Sequence, residues 1–392
     1  MKSYKEILKE NRAWAEETFK KVDKKLSAVT IRSREKLVDG VGADGVTHKS
    51  VDPTYWTAGF FGGMNVLMYE HTKNEEYLKT AKRSEEIMDA GLAQFTALHH
   101  DVGFMWHILS GALYKLTGDE KSKTRNLFAA ATLQSRFIPS AKYIVAWNGY
   151  AWKWEGRYVG DWSIIDCMMN LPLLYWASEV LCDDRFSQVA RAHADTALEQ
   201  HIRPDGSVAH IVEHDRETGA LVECIGGQGY SAESSWSRGQ AWAIYGFALS
   251  YKYTGEKKYL DAAKRVAHYF IANVCGEWVP EIDFRAPAEP VYYDTSAAMC
   301  AACGLLEIAK IVPEFESGMY ASAAINMLKA VTERFSDFDP EHDVMISHSS
   351  VRYPVPEKYT PKQAQVEVPI IYAEYYYVEA LLKMLGSEFS AW

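Results

Sequence analysis

Two aspartates occupy positions from which a carboxyl group could act as an acid or a base. Asp101 in LHHDVGFMW and Asp166 in SIIDCMMNLPLLYW each open an apolar segment, and they stand 65 residues apart. Asp is a common N-cap, so a structural role is one interpretation of both residues. Isoleucine, cysteine and methionine flank Asp166, however, and burial among apolar side chains raises the pKa of a carboxyl group. Because an acid with a raised pKa can donate a proton near neutral pH, Asp166 is a candidate general acid.

The chain is also rich in aromatic residues, with 12 tryptophans and 24 tyrosines. Many of them fall in stretches that we expect to be loops, among them Trp56, Trp147, Trp152 and Trp242. Aromatic side chains often pack in cores, but they also offer rigid apolar faces on which sugar rings stack. Together with two carboxylates, this set favours a carbohydrate pocket.

A repeat of helix pairs sets the positions of both aspartates. Each pair joins an apolar, aromatic-rich helix to a more charged amphipathic one, as in WTAGFFGGMNVLMYEHTKNEEYLKTAKRSEEIM. After five pairs, a sixth apolar helix, IYAEYYYVEALLKML, lacks a partner, which the N-terminal segment YKEILKENRAWAEETFKKVDKKL can supply. Helices that are apolar all round are buried, and helices with one apolar stripe lie outside them. The sequence therefore predicts an all-α (α/α)6 barrel of six inner and six outer helices, in a single domain spanning residues 1–392.

Long connections precede several inner helices, notably residues 135–162, 203–236 and 275–294. Loops of this length inside a compact domain usually carry function. Residues 204–229 alternate polar and apolar side chains, which is typical of a short β-hairpin. We expect the binding site at the end of the barrel where these loops lie.

Charge and composition exclude several other classes of protein. The 52 acidic residues outnumber the 42 basic ones, for a net charge of −10, so no nucleic-acid partner is expected. The charged N-terminal segment does not resemble a signal peptide, and no apolar run reaches membrane-spanning length. The six cysteines lie mostly in apolar stretches, which predicts buried thiols in a reducing cytoplasm. We expect a cytoplasmic protein with no metal, no organic cofactor and no membrane partner.

Several segments resemble those of the unsaturated glucuronyl hydrolases, glycoside hydrolase family 88. The most specific are WSRGQAWAIYGFAL and HHDVGF, and the similarity extends from about Tyr55 to Leu385. The family fold is an (α/α)6 barrel, in agreement with the repeat. The resemblance implies an enzyme that hydrates the C4=C5 double bond left on a uronate by a polysaccharide lyase. A carboxylic acid protonates C4, water adds to C5, and the resulting hemiketal opens to release the next sugar.

The resemblance also implies roles for single residues. Asp166 matches the catalytic acid/base, and Asp101 matches a second essential aspartate that holds ring hydroxyls and keeps the Asp166 proton in place. Arg238 would bind the uronate carboxylate, which suits a planar guanidinium. The other residues implied in the pocket are Trp56, His100, Trp147, Trp152, His210, Gln228 and Trp242. His210 and Gln228 would position either the water or the carboxylate.

Near the C-terminus, ISHSSVRYP brings Ser347, Ser350 and Arg352 close in sequence. Members of the family that act on sulfated disaccharides use a similar arrangement of two serines and a basic residue. We therefore hypothesise that this segment binds sulfate, with an exposed polar loop as the alternative.

The expected substrates are unsaturated uronic-acid-containing disaccharides and oligosaccharides of the chondroitin, hyaluronan or heparin type. The nearest alternative is an unsaturated rhamnogalacturonyl hydrolase acting on pectin-derived disaccharides. Sugar 2-epimerases share the barrel but rely on a pair of histidines, and a non-catalytic sugar-binding protein would not need an aspartate in an apolar setting. We expect a monomer or a weak homo-oligomer.

Overall fold

The structure, a computed structural model, describes residues 2–42, 44–356 and 358–392. The described residues form thirteen α-helices. In chain order these are α1 Tyr4–Arg32, α2 Ala58–Thr72, α3 Glu75–Leu92, α4 Ala112–Thr117, α5 Glu120–Gln134, α6 Leu171–Leu181, α7 Arg185–Gln200, α8 Ser237–Thr254, α9 Lys257–Val274, α10 Thr295–Ile311, α11 Glu314–Phe335, α12 Pro361–Ala364 and α13 Ile371–Met384. A π-helical segment, Gly103–Gly111, leads into α4, and a 3-10 helix, Ile165–Met169, leads into α6.

Six helices form an inner ring, and six others surround it. The inner helices are α2, α4 with its π-helical segment, α6 with its 3-10 helix, α8, α10 and α13; each packs on the next, and α13 closes on α2. The outer helices are α1, α3, α5, α7, α9 and α11. Nearly every side chain of α8 and α10 is buried, whereas α9 buries one face only. This arrangement confirms the predicted (α/α)6 barrel, and it arises because only helices that are apolar all round can fill the ring.

The first and last barrel helices meet, as the unpaired sixth helix predicts. Helix α1 packs against both α11 and α13. An arginine of α1, Arg12, donates from Nη1 to the backbone oxygen of Leu385 over 3.2 Å. Helix α1 therefore completes the outer ring where the chain returns to its start.

The two ends of the barrel differ in their connections. At one end each inner helix except α13, the last, passes to its outer helix through a short turn. Gly118 and Gly255 make two of these turns at φ of 70° and 67°, a region that favours glycine. At the other end long loops precede the inner helices and contain all the described strands. These are β1 Val38–Val41, β2 His48–Ser50, β3 Phe137–Ile138, β4 Tyr143–Ile144, β5 Lys153–Trp154, β6 Arg157–Tyr158, β7 Trp162–Ile164, β8 Ile211–His214 and β9 Leu221–Ile225.

The hairpin predicted within residues 204–229 is present as β8 and β9, which pair antiparallel with Ile211 opposite Ile225. Strand β7 adds to its other edge, with Ile164 opposite Ile211. This small sheet brings the segment before Asp166 beside the segment that contains His210. The hairpin therefore links two loops that lie far apart in the sequence.

The prediction of six buried thiols is wrong for half of the cysteines. Cys167, Cys300 and Cys303 are buried, whereas Cys182 and Cys275 are exposed and Cys224 is half-buried. The two exposed cysteines are C-caps, of α6 and α9, and helix ends reach the surface even when their neighbours are apolar. None of the described helices is both long and apolar enough to cross a membrane.

Candidate active site

A cavity of about 550 Å³ opens at the loop end of the barrel. Its wall includes residues at or just before the first turn of several inner helices, among them Trp56, Asp101, Asp166, Arg238 and Tyr372. The barrel aligns these helices with their N-terminal ends on the same side. Residues that are widely separated in the sequence therefore face one space.

Asp101 is buried beside two histidines. Its carboxylate lies 3.3 Å from His99 Nδ1 and 3.4 Å from His100 Nε2. Burial lowers the pKa of His99 to about 4 and holds the pKa of His100 well below its usual range, so both rings are neutral near pH 7. Burial, and secondarily the charge of Asp166, raise the pKa of Asp101 well above its usual range. A carboxyl group in this setting holds its proton more readily than one in water.

Asn170 joins the two aspartate segments and was not singled out in the sequence. Its Nδ2 donates to Asp101 Oδ1 and to the backbone oxygen of Asp166, each over 3.3 Å. Its Oδ1 accepts from the backbone nitrogen of Phe104, in the π-helical segment, over 2.9 Å. A single amide in an otherwise apolar stretch, four residues after Asp166, is the signal that could have identified it.

Asp166 projects from the 3-10 helix into the cavity while its neighbours Ile165 and Cys167 are fully buried. Its side chain is 16% exposed. The buried oxygen, Oδ1, has no hydrogen-bond partner among the described residues and lies 3.5 Å from His210 Nε2. The carboxyl group is thus held at the wall with little of its hydrogen-bonding capacity used by the protein.

His210 is oriented by the backbone of the next loop. The backbone nitrogen of Gln228 donates to His210 Nδ1 over 3.0 Å, and the ring packs on Trp236 with 4.3 Å between centroids. When Nδ1 accepts, a neutral imidazole carries its proton on Nε2. That N–H faces Asp166.

Arg238 forms the buried cationic side of the cavity at the start of α8. It pairs with Asp294, which caps α10, and donates to the backbone oxygens of Ser350 and Val351 over 2.5 and 2.7 Å. Its guanidinium lies over the Trp236 ring at 4.4 Å. These contacts occupy Nη1 and one proton of Nη2, and no described residue accepts from Nε. The remaining donors are available to an anion.

The structure brings most of the predicted site residues to this cavity. Besides Trp56, Asp101, Asp166 and Arg238, these are Trp147, Gln228 and Arg352, whereas His210 contacts Asp166 without lining the wall. Gln228 also donates from Nε2 to the backbone oxygen of Val351 over 2.6 Å. Trp152 packs edge-on against Trp147, with 4.7 Å between centroids, but lies outside the wall. Several lining residues were not foreseen in the sequence, chiefly Asp39, His99, Trp154 and Tyr372.

Besides Trp152 and His210, four predicted residues do not line the cavity wall. His100 is fully buried behind Asp101. Trp242 is also fully buried, and packs on Phe104 and Tyr376 in the barrel core. The others, Ser347 and Ser350, are engaged in holding loops.

The predicted sulfate group of two serines and an arginine is not assembled. Ser350 Oγ donates to the backbone oxygen of Tyr293 over 2.8 Å, and Ser347 Oγ donates to that of Phe335 over 3.2 Å. Both hydroxyls therefore stabilise the C-terminal loop. Arg352 alone faces the cavity, with its guanidinium 5.0 Å from the ring centroids of Trp154 and Tyr359.

Among the described residues, one group brings three possible metal ligands together. Ligand atoms of His99, His100 and Asp101 lie within 4.8 Å of one another. No metal site is predicted from the sequence.

The model of the Glycosyl Hydrolase Family 88 matches residues 41–282 of the chain. The chain belongs to this family. It is therefore a glycoside hydrolase, which confirms the resemblance found in the sequence and decides against the epimerase and non-catalytic alternatives. The matched range begins after α1 and ends before α10.

Two relatives cover most of the chain. An unsaturated glucuronyl hydrolase of Bacillus sp. (strain GL1) is 37% identical over 85% of this chain and 87% of its own. The crystal structure of the Bacillus sp. GL1 enzyme, described as responsible for the degradation of glycosaminoglycan, has a TM-score of 0.84 at 33% identity, over 93% of this chain and 95% of that one.

The second relative is an unsaturated chondroitin disaccharide hydrolase of Streptococcus agalactiae, 31% identical over 86% of this chain and 83% of its own. The structure of an unsaturated glucuronyl hydrolase mutant from that species, complexed with dGlcA-GalNAc6S, has a TM-score of 0.77 at 28% identity, over 96% of this chain and 93% of that one. A solved structure similar to this chain thus holds dGlcA-GalNAc6S.

Proposed function

We propose that this family 88 enzyme removes the 4,5-unsaturated uronate from the non-reducing end of lyase-generated glycosaminoglycan oligosaccharides by hydrating the C4=C5 bond. The observation that carries the proposal is that two groups line the same cavity: the Asp166 carboxyl group, one oxygen of which has no hydrogen-bond partner among the described residues, and the buried guanidinium of Arg238. The guanidinium suits the uronate carboxylate. The Asp166 carboxyl group can donate the proton that C4 must receive.

Binding places the unsaturated ring at the base of the cavity. Arg238 donates to the uronate carboxylate from Nε and its free Nη2 proton, while its pairing with Asp294 fixes the plane of the guanidinium. The side chains of Trp56 and Trp147 provide apolar walls. Gln228, whose side-chain amide donates to the backbone oxygen of Val351, lies next to the uronate carboxylate.

Proton transfer then begins the reaction. Asp166 donates its proton to C4, and positive charge develops at C5 and the ring oxygen. A water molecule adds to C5 and returns a proton to the Asp166 carboxylate, with His210 Nε2, at 3.5 Å, stabilising the charge on Oδ1. The hemiketal opens and releases the next sugar, so every proton donated is recovered.

Asp101 supports this step from the neighbouring inner helix. Its raised pKa, and the shared amide of Asn170, keep a proton close to Asp166 while its exposed edge can accept from a ring hydroxyl. Two nearby carboxyl groups in a desolvated site resist ionising together. Asp101, whose pKa is raised by burial, is the member of the pair that favours the protonated form.

The two relatives support a glycosaminoglycan substrate, because one degrades glycosaminoglycan and the other is a chondroitin disaccharide hydrolase. Arg352, which no described carboxylate pairs with, is the remaining candidate for contact with a sulfate group. A pectin-derived disaccharide is the alternative substrate. We further propose a cytoplasmic location, supported by six unpaired thiols.

The test follows the ultraviolet absorbance of the C4=C5 bond in disaccharides from chondroitin, hyaluronan, heparin and pectin lyase digests. The wild-type enzyme should remove the absorbance of at least one glycosaminoglycan disaccharide, and Asp166→Asn should lower kcat by about 10²–10⁴-fold. Asp161→Asn is the matched control, since Asp161 pairs with Arg216 outside the cavity. Turnover of the pectin disaccharide alone would move the assignment to the alternative, and unchanged turnover by Asp166→Asn would remove its assigned role.

A further inference from the structure

An aromatic hairpin stands at the cavity mouth and extends past it. Strands β5 and β6 are joined by a tight turn in which Glu155 and Gly156 have φ of 49° and 81°. The segment just before β5 carries Trp152, and β5 ends at Trp154. The hairpin follows Trp147, a wall residue, by only a few positions.

The three tryptophans form one continuous cluster. Trp147 and Trp154 line the cavity and stack with planes 11° apart and 5.5 Å between centroids. Trp152 packs edge-on against both, at 4.7 and 5.5 Å. It does not line the cavity, and it remains 42% exposed. An apolar surface that begins inside the cavity therefore continues outside it.

Contacts on both sides fix this hairpin in place. On one side Glu155 accepts from Lys358 over 2.9 Å and from Tyr359 over 3.2 Å, both in the C-terminal loop. On the other side Arg157 pairs with Glu213 and Glu223 of the β8–β9 hairpin. At its base, Asn148 Nδ2 donates to the backbone oxygens of Thr96 and Leu98, each over 2.9 Å. Trp152 is thus presented by a held loop, which lowers the entropy cost of binding to it.

The orientation of the bound oligosaccharide determines which of its sugars contacts this surface. In the proposed function, on which this inference rests, the unsaturated uronate is the non-reducing end and lies deepest, near Asp166 and Arg238. The chain must then leave the cavity toward its reducing end, past Trp147 and Trp154. A sugar beyond the first two would emerge beside Trp152. An exposed indole next to emerging pyranose rings is suited to stacking on a ring's C–H face.

We propose that Trp152 forms an additional subsite that binds the third sugar of longer unsaturated oligosaccharides, so that the enzyme favours tetrasaccharides over disaccharides. This subsite contributes to binding of the leaving part of the substrate and takes no part in proton transfer. It would allow the enzyme to act on oligosaccharides before lyases reduce them to disaccharides.

The experiment measures kcat/KM on an unsaturated disaccharide and on the tetrasaccharide of the same polymer. Trp152→Ala should lower the ratio of the tetrasaccharide value to the disaccharide value by about tenfold, equivalent to ~1.4 kcal/mol, and Trp152→Phe should restore most of it. Phe315→Ala is the control, because Phe315 is another solvent-facing aromatic, 73% exposed, on an outer helix. It should leave both values unchanged.

A ratio that stays at the wild-type value in Trp152→Ala would overturn the subsite, whether both substrates are lost equally or neither is affected. Equal loss would mean that Trp152 only supports Trp147. Failure of the proposed function gives a different result, since the wild-type enzyme would then leave the double bond intact in both substrates. In that event, titration of the tetrasaccharide against wild type and Trp152→Ala by tryptophan fluorescence still decides whether Trp152 binds sugar: equal affinities would overturn the subsite.

Discussion

The two ends of the barrel both bury carboxyl groups, but they surround them differently. At the end with short turns, Glu307 and Glu379 lie 2.9 and 3.5 Å from Lys383 Nζ. At the end with long loops, Asp101 has neutral histidines as neighbours, and Asp166 keeps an oxygen without a partner among the described residues. The carboxylates at the first end are therefore paired with a cation, while those at the second end face a cavity.

The pKa values of the buried carboxyl groups differ between the two ends for the same reason. Burial alone would raise the pKa of Glu307, but Lys383 and Lys252 lower it to about 2. Burial also raises the pKa of Asp101, and the charge of Asp166 raises it further; the smaller opposing effects of Asn170 and Arg136 do not offset them, so the pKa stays high. Whether a buried acid is a structural ion or a proton donor thus depends on the presence of a cation beside it.

The end with short turns is the closed end of the barrel, and aromatic side chains fill it. Trp392 is buried, stacks on Tyr376 with planes 6° apart, and donates from Nε1 to Glu379 Oε2 over 3.1 Å. Tyr245 donates to the other oxygen of the same carboxylate. Every oxygen of Glu379 therefore has a partner, which is the condition under which burial of a charge is tolerated.

The largest expected effect is on catalysis at the end with long loops, which is the open end of the barrel. Asp101→Asn should lower kcat on an unsaturated disaccharide by about 10²–10³-fold, because an amide cannot share a proton with Asp166. The same change should raise the melting temperature at pH 7, since it removes a carboxyl group whose ionisation is opposed by burial. Absorbance kinetics and thermal unfolding measure the two effects. A variant that loses stability along with activity would contradict this account of Asp101.

The next effect is on stability at the closed end. Glu307→Gln should lower the free energy of unfolding at pH 7 by about 3 kcal/mol, because the lowered pKa represents stabilisation of the folded state. Its kcat should stay within about twofold of wild type, as Glu307 lies far from the cavity wall. Denaturant unfolding at several pH values is the measurement, with Glu333→Gln, an exposed carboxylate on the outer helix α11, as control.

The sign of the pH dependence distinguishes the two ends. A depressed pKa contributes stability above the unfolded value, so the difference between wild type and Glu307→Gln should be full at pH 7 and vanish as the pH falls from about 4.5 to about 2. For Asp101, whose pKa is raised, the unfavourable contribution should grow as the pH rises. Differences that follow the same direction in both variants would contradict the comparison.

The smallest effect concerns a cation at each end. Lys383 is paired, whereas Arg352 has no carboxylate within pairing distance among the described residues. Arg352→Ala should lower kcat/KM about fivefold on a 6-sulfated disaccharide, a loss of ~1 kcal/mol that is typical of one partly exposed charge pair. Arg352→Lys should retain part of the preference. An equal loss on the unsulfated disaccharide would mean that Arg352 acts through Trp154 rather than on sulfate.

The sequence predicts the barrel because helix burial is set by composition. An apolar run such as that of α10 can only lie inside, and the unpaired last helix requires α1 beside it. The β8–β9 hairpin follows from alternation in the same way. The convergence of Asp101 and Asp166 also follows, since both precede inner helices that are neighbours in the ring. The single domain over residues 1–392 stays a prediction.

What the sequence does not predict depends on tertiary contacts. The π-helical segment after Asp101 lies where α2 approaches so closely that a Cβ on Gly59 would meet Met105 O at 2.0 Å. The burial of Trp242, the use of Ser350 by its own loop and the link made by Asn170 also depend on residues distant in sequence. Spacing in the sequence can identify candidate residues, but tertiary packing determines which of them face the cavity.

In the proposed function, the carboxyl groups at the open end of the barrel deliver a proton to a carbon atom, C4. It is tested most directly by running the wild-type reaction in deuterated water and examining the released uronate by NMR. The account predicts one solvent deuterium at C4 for each glycosidic bond broken, together with loss of the C4=C5 bond. Bond cleavage that leaves the double bond intact and C4 free of deuterium would contradict it, because the acid would then have acted on the glycosidic oxygen.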